Sequence, residues 1–501
     1  MNSIEILTAT NFIKNINSYL QIIIMVLIFL TGILLTIRNR FLQVTKFDYS
    51  LKKTVGQTIT SLRNNKRDKK KISPFAAFST AVAGTVGTGN IIGVTTAILS
   101  GGAGAVFWMW FSAFFGMVTS YSEKLLGIFF RDKDENGEYR GGAMYYILRG
   151  LGKGFKWLAL TFAICTSVAS IGFNFVQTNS IVSTIASGIN LNINEWVIKI
   201  GIGIILAILL GLVIIGGIKR ISTVSSLLVP FMAILYIILS IIIISMNGKN
   251  IPSAFLSIFT NAFSLKSIGS GIMGYAIMRA CRYGVARGIF SNEAGLGSSV
   301  MAHAAADVKE PVDQGMWGIF EVFLDTFIIC TLTALVILTS GIDLSGDVYG
   351  SEIVLQIFSD NLGLFGRIVY KIILPLFAFT TLISWSYYGE KTTEYFLGPK
   401  SRLIYKIMFI GLCIIGSVLS VEFVWELADT FNVIMALPNL IALILLSGLV
   451  ARITKNYFDR RKGKIIHPML SYDDAKNKEL FIEEMVESGL TEDEANNRYV
   501  E

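Results

Sequence analysis

Apolar residues run along this chain in long stretches, separated by short segments where charge is concentrated. A helix needs about 20 mostly apolar residues to cross about 30 Å of hydrocarbon. Eleven stretches meet that need: 19–37, 74–100, 105–130, 155–185, 196–218, 223–246, 268–306, 315–340, 365–389, 403–420 and 428–453. The pattern predicts an all-α polytopic membrane protein with about eleven transmembrane helices.

The basic residues test that reading, because real spans must place the Lys/Arg excess on alternate loops. The first loop holds eleven, from Arg38 and Arg40 to Lys69, Lys70 and Lys71. The third holds Arg131, Lys133, Arg140, Arg149 and Lys153, the fifth Lys219 and Arg220, the ninth Lys391, Lys400 and Arg402. The loops between are neutral, sparse or acidic, as at Asp343, Asp347, Glu352 and Asp360. This predicts an outside N-terminus and a cytoplasmic tail. With no basic n-region or small-residue cleavage site, the first apolar run reads as a retained helix. The tail after Lys464 is polar, and Thr491-Glu492-Asp493-Glu494 fits the capping box of a short helix.

Composition agrees: 53% of residues are hydrophobic and 16% charged, whereas soluble domains carry about a quarter charged residues. The net charge of +8 suggests a nucleic-acid partner only until the basic residues are placed, since they lie between spans. The four cysteines, Cys165, Cys281, Cys330 and Cys413, sit inside apolar runs without metal-ligand spacing, which predicts neither a disulfide nor a zinc site. His303 and His467 are too few for a histidine cluster, and no convergent nucleophile and base point to an enzyme.

Two stretches conflict with a straight helix. The second contains Gly84-Thr85-Val86-Gly87-Thr88-Gly89-Asn90, with Gly93 beyond. Each interior glycine costs a helix about 1 kcal/mol relative to alanine. Unwound backbone at bilayer depth survives only where protein or a lined cavity satisfies its polar groups. The seventh stretch carries Arg279, Arg282 and Arg287 and then Phe290-Ser291-Asn292-Glu293-Ala294-Gly295. It predicts a half-helix, a break near 290–295 and a second half-helix through Val300. The second and seventh stretches each open a set of five, and paired interruptions point to a transporter site between inverted repeats. Half-helix N-termini suit a carboxylate, and freed carbonyls suit a small cation or an ammonium group. Close helix packing is the competing account of the glycines. A phosphate loop is disfavoured, since no Gly-Lys-Ser/Thr follows either tract.

Ser73-Pro74-Phe75, the run from Thr85 to Asn90, Gly101-Gly102-Ala103-Gly104-Ala105-Val106-Phe107-Trp108-Met109-Trp110, Gly141-Gly142-Ala143-Met144-Tyr145-Tyr146-Ile147, Phe290 to Gly295, and Trp385-Ser386-Tyr387-Tyr388-Gly389-Glu390 occur in that order. Together they resemble the alanine or glycine:cation symporter family of the amino acid–polyamine–organocation superfamily. Ala143 stands where the family's motif is expected to carry proline.

The resemblance implies a leucine-transporter-type fold, one N-terminal helix plus a 5+5 inverted repeat. It divides the chain into 1–72 (first helix and basic loop), 73–250 and 251–455 (the repeats) and 456–501 (the tail). It implies sodium-coupled uptake of L-alanine or glycine, with D-alanine a further candidate, across the cell membrane by alternating access. Substrate would meet Thr85, Gly87, Gly89, Gln177, Phe290, Asn292 and Trp385, the last walling the side-chain pocket. Sodium, the coupling ion, would meet the carbonyls of Ala83 and Val86 and the hydroxyls of Thr380 and Thr381, whose simpler role is bonding to their own helix. No cofactor is expected. Proton coupling is the alternative within transport, and a channel the alternative outside it.

Intramembrane carboxylates are functional candidates. Asp325 with Asn90 reads as a second cation site, a proton-linked site or a structural hydrogen bond. Glu293 reads as a cap of the second half-helix, Glu321 as a residue nearer the interface, and Glu123 and Lys124 as an interfacial or gate-forming pair. Arg279, Arg282 and Arg287 would attract anions or pair acidic groups at the outer mouth.

Overall fold

The structure, a computed structural model, describes residues 3–63, 71–135, 137–187, 194–263, 271–344, 350–464, 467–487, 490–492 and 499. Lys69, Lys70, Asp347 and the Asp493-Glu494 half of the capping pattern lie outside them. The described chain is helical apart from two-residue antiparallel strands, β1 (Asp132–Lys133) and β2 (Tyr139–Arg140), that pair Asp132 with Arg140.

Helix α1 (Ser3–Arg38) is followed by short helical turns, and then by α2 (Pro74–Thr85), α3 (Ile92–Gly101) and α4 (Ala105–Phe129). Next come α5 (Ala143–Leu151), α6 (Lys156–Ala186), α7 (Glu195–Ile214) and α8 (Gly217–Met246). Beyond α9 (Ile251–Ala262) lie α10 (Gly271–Asn292), the short α11 (Val300–Ala304) and α12 (Pro311–Val322). The π-helical segment Phe323–Cys330 joins α12 to α13 (Thr331–Ser340). Helices α14 (Gly350–Leu397), α15 (Ser401–Gly416), α16 (Val421–Arg460) and α17 (Asp474–Glu487) complete the described order.

Among the described residues, seven helices are long and apolar enough to cross a membrane, or eight if the bent pair Pro74–Thr85 and Thr88–Gly101 is one span. The helices α4, α10 and α15, in the positions of the third, seventh and tenth expected spans, fall outside that criterion. Helices α5 and α9 are shorter than a span, and a left-handed Gly363 (φ 61°) bends α14 so that 350–362 forms a separate arm.

The first break follows from local chemistry. Ser73 caps α2 by accepting from the Ala76 amide at 3.1 Å, and Pro74 occupies the first turn, where no amide is needed. Thirteen residues later the helix fails: Val86 is extended, and the Gly87 amide donates to Asn90 Oδ1 at 2.9 Å rather than continuing the helix onto the Ala83 carbonyl. A 3-10 turn over Thr88–Asn90 leads into α3, and the two halves meet at 56°.

The second break falls a little later than the sequence predicts. Helix α10 continues through Asn292, and Glu293, Gly295 and Gly297 then take positive φ before α11 begins at Val300. The side chains of Ser291 and Asn292 find partners across the α12–α13 segment, so those residues stay helical, and the chain turns where two glycines permit it. Packing brings the breaks together: α10 lies on α3 and α4, α2 on α8 and α14, and α6 on α14 and α16. Helix α1 packs outside them, mainly on α16.

Candidate functional site

Three elements meet the first break, and a fourth packs against two of them. From α14, Thr381 sits so close that a Cβ on Gly87 would overlap its Oγ1, Ser384 Oγ donates to the Thr80 carbonyl at 2.7 Å, and the Tyr388 hydroxyl lies 2.9 Å from where a Gly84 Cβ would stand. Close approach is thus the local reason for glycine at both positions. From α10, Phe290 Cδ1 lies 3.1 Å from the corresponding point on Gly89.

The π-helical segment supplies the third contact. Asn90 Nδ2 donates to Asp325 Oδ1 at 2.6 Å; Ser291 Oγ lies 3.0 and 2.9 Å from the two carboxylate oxygens, and Thr326 Oγ1 donates to Oδ2 at 2.8 Å. Asp325 is fully buried, so its lone pairs need these donors. One carboxylate thereby ties the 3-10 turn of the first break to the last turn of α10.

The fourth element is α6. Phe173 stacks on Trp385 of α14 with centroids 3.6 Å apart and planes 12° apart, and on its other side meets Phe290 at 4.9 Å. Trp425 of α16 extends the row beyond Phe290 at 4.9 Å. Gln177, one helical turn after Phe173, is buried, and its Oε1 has no hydrogen-bond partner. Thr88 Oγ1 in the break and the Tyr388 hydroxyl are likewise buried and unpartnered. Three buried, unsatisfied polar atoms, one in the break and two on the helices packed about it, need an explanation, and a bound polar ligand is one.

The sequence-selected residues divide accordingly. Gly87 with Thr381, Gly89 with Phe290, Asn90 with Asp325, and Phe290 with Trp385 through Phe173 are brought together. Thr85 closes α2, its hydroxyl 3.4 Å from the Val82 carbonyl, and Ala83 and Val86 flank that last turn. Thr380 and Thr381 both donate to the Phe377 carbonyl of their own helix, at 2.9 and 3.1 Å, but the Thr380 hydroxyl lies 3.6 Å from Met232 Sδ while that of Thr381 faces Gly87. Asn292 uses both ends of its amide, donating to Thr326 at 3.0 Å and accepting from the Ala294 amide at 3.0 Å.

The second break is satisfied from within. Glu123 Oε1 accepts from the Gly295 and Gly297 amides, both at 3.1 Å, and from Asn439 Nδ2 at 2.6 Å. Lys124 Nζ bonds Ser120 and Ser299 at 2.8 Å each and lies 3.3 Å from Glu321 Oε2, which also meets His303 Nε2 at 3.1 Å. All of these charged side chains are fully buried, so Glu123, Lys124 and Glu321 are enclosed by protein and paired with one another rather than solvated. Nor does Glu293 cap α11: its carboxylate accepts from the Trp385 indole at 2.9 Å and from the Ser298 hydroxyl. Arg287 meets Asp429 through two 2.9 Å bonds, while Arg282 donates to Gln21 of α1 at 3.0 Å. A cavity opens there between α1, α10 and α16, with Phe290 in its lining.

Sequence reasoning missed Phe173, Ser291 and Tyr388 as site side chains, and named Thr88 only as part of the broken tract. Phe173 carried a signal, as it stands four residues before Gln177 on the same helix face. The others become meaningful only once distant helices are docked.

This constellation, paired helix breaks facing a buried polar and aromatic site, belongs to the leucine-transporter-like fold. The backbone resembles that of MhsT in complex with L-phenylalanine, at a TM-score of 0.55 and 14% identity over 77% of this chain and 98% of that one. The chain matches the sodium:alanine symporter family over residues 6–470 and belongs to that family. It is 41% identical to the sodium/alanine symporter AgcS of Methanococcus maripaludis, over 91% of this chain and 98% of the relative. It is 37% identical to a probable sodium/glutamine symporter, GlnT, of Bacillus subtilis, over 91% of each. It is therefore a multi-pass membrane transporter, not an enzyme, and its class is amino-acid:cation symport.

Proposed function

We propose that the protein imports a small neutral amino acid, alanine or glycine, with sodium as the coupling ion. The observation that carries this reading is the trio of buried, unpartnered polar atoms, Thr88 Oγ1, Gln177 Oε1 and the Tyr388 hydroxyl, beside a break faced by stacked aromatic rings. The opening turn of a helix leaves amides without intrahelical partners, so Thr88 and Gly89 offer donors to a carboxylate. The Trp385, Phe173 and Phe290 rings would wall the side chain of the bound amino acid. Overpacking such a wall is costly, which favours alanine or glycine over glutamine.

Sodium takes hard oxygen ligands. The Ala83 and Val86 carbonyls with Thr381 supply them, and Thr380 joins them only if its hydroxyl turns from Met232. Asn90 and Asp325, the candidate second cation site, read best as an anchor of the first break, since the carboxylate already accepts from three side chains.

In this reading eleven spans form one N-terminal helix and two five-helix repeats, 73–250 and 251–455, with 1–72 and 456–501 flanking them. The N-terminus lies outside the cell membrane and the tail in the cytoplasm. Substrate and ion bind together at the breaks, and one bundle rocks against the other.

The test is uptake of labelled alanine into proteoliposomes under a sodium gradient, a proton gradient or neither. Uptake driven by sodium alone supports the proposal. Uptake driven only by protons transfers the coupling to protons, and ion flux without alanine makes the protein a channel.

A further inference from the structure

Trp385 is held on two sides, and only one of them is aromatic. Its ring stacks on Phe173, while its Nε1 donates to Glu293 Oε1 at 2.9 Å. A stacked ring can still slide and turn within its plane. A directional bond at its edge removes that freedom.

Glu293 is itself immobilised. It is fully buried, and its second carboxylate oxygen accepts the Ser298 hydroxyl from the far end of the same break. Its backbone lies at φ 55°, a region that strains most residues other than glycine. Glycine would relieve that strain but lacks the acceptor, and asparagine's side chain is one methylene shorter. A glutamate here fits a requirement for an acceptor at this reach.

We infer that Glu293 is a specificity-determining positioning residue: it fixes the indole of Trp385 and so sets the largest side chain the pocket admits. The inference rests on the reading of Trp385 as the pocket wall. It assigns Glu293 no contact with the amino acid or the ion. Loss of the hydrogen-bond acceptor should therefore admit larger aliphatic amino acids, of the leucine class, while leaving sodium dependence alone.

The test measures the ratio of leucine to alanine uptake, and the sodium half-saturation, in proteoliposomes holding Trp385→Ala, Glu293→Met, Glu293→Gln, Trp385→Phe or the double variant Glu293→Met/Trp385→Phe. Trp385→Ala and Glu293→Met should each raise the ratio about tenfold, the scale on which a hydrophobic pocket distinguishes chain lengths. Glu293→Gln keeps an acceptor and should keep the ratio. In the Trp385→Phe background, which has no indole N–H, Glu293→Met should change nothing further. An unchanged ratio in Trp385→Ala sinks the wall and the inference with it. A shift in Trp385→Ala with none in Glu293→Met, or an equal effect of Glu293→Met with and without the indole, overturns the inference alone. If Glu293→Met does not fold, Glu293→Gln still decides: a ratio raised to that of Trp385→Ala would overturn it.

Discussion

Asn90 Nδ2 stands 2.6 Å from Asp325 Oδ1, two buried side chains that join the turn of the first broken helix to a π-helical segment 235 residues away. π-Helical turns recur at functional sites because they aim a side chain that a regular helix would not. Here the side chain is the only carboxylate bonded to the first break among the described contacts.

Asp325 can be tested as anchor against cation ligand. Asp325→Ala leaves the Asn90 amide buried without this acceptor, a loss of about 1–3 kcal/mol, and should lower both melting temperature and uptake. Asp325→Asn keeps an oxygen for Asn90, while the Ser291 and Thr326 hydroxyls can rotate to accept from its amide. It should retain the wild-type sodium half-saturation. A tenfold rise, equal to about 1.4 kcal/mol, would move Asp325 from the anchor to the ion.

The two threonines of α14 should behave differently although they are neighbours. Thr381 faces Gly87, and the Thr380 hydroxyl is turned towards Met232. Thr381→Val keeps the volume and removes the oxygen, so the sodium half-saturation should rise roughly tenfold, with alanine affinity following through coupling. Thr380→Val should have the smaller effect. Equal effects would mean that the Thr380 hydroxyl rotates onto the ion.

Gly87 probes the same contact from the other helix. A methyl there overlaps Thr381 Oγ1, and overpacking a close interface costs about 1–3 kcal/mol. Gly87→Ala should abolish sodium-driven uptake while the protein remains folded by size-exclusion chromatography. Gly87→Ala/Thr381→Ser does not relieve the overlap, because the hydroxyl remains. Gly87→Ala/Thr381→Ala does, and should recover folding stability but not sodium coupling. Full uptake by Gly87→Ala alone would contradict the close approach.

What the sequence made legible, and what it did not, follows from where each signal resides. The first break was readable because its cause is local: glycines and polar residues replace apolar ones inside a span. The second was placed near 290–295, and the structure begins it at Glu293, because Ser291 and Asn292 look like breakers until Asp325 and Thr326 are docked against them. Glu123 and Lys124 read as an interfacial or gate-forming pair since they stand near the end of a span. Their partners, Gly295, Gly297, Ser299, Glu321 and Asn439, lie some 170 to 320 residues away, and no local pattern announces them. Helices α5 and α9, at nine and twelve residues, fall below the length that a hydropathy scan rewards.

That buried network carries the last prediction. Lys124 lies 3.7 Å from Glu123 Oε2 and 3.3 Å from Glu321 Oε2, with no solvent access to any of the three side chains. Removing one partner of a buried ion pair costs about 3–5 kcal/mol, because the other charge is left without compensation. Lys124→Met should therefore lower the melting temperature in detergent and reduce the yield of monodisperse protein. Neutralising a partner should offset part of that loss, so Lys124→Met/Glu321→Gln should be more stable than Lys124→Met. Glu123→Gln acts on a different contact. An amide oxygen can still accept from Gly295 and Gly297, but its nitrogen then takes the position that faces Lys124, so this variant should fold and transport more slowly. A Lys124→Met protein as stable as the wild type would show that the carboxylates do not need the ammonium, and that Glu123 holds the Gly295 and Gly297 amides without it.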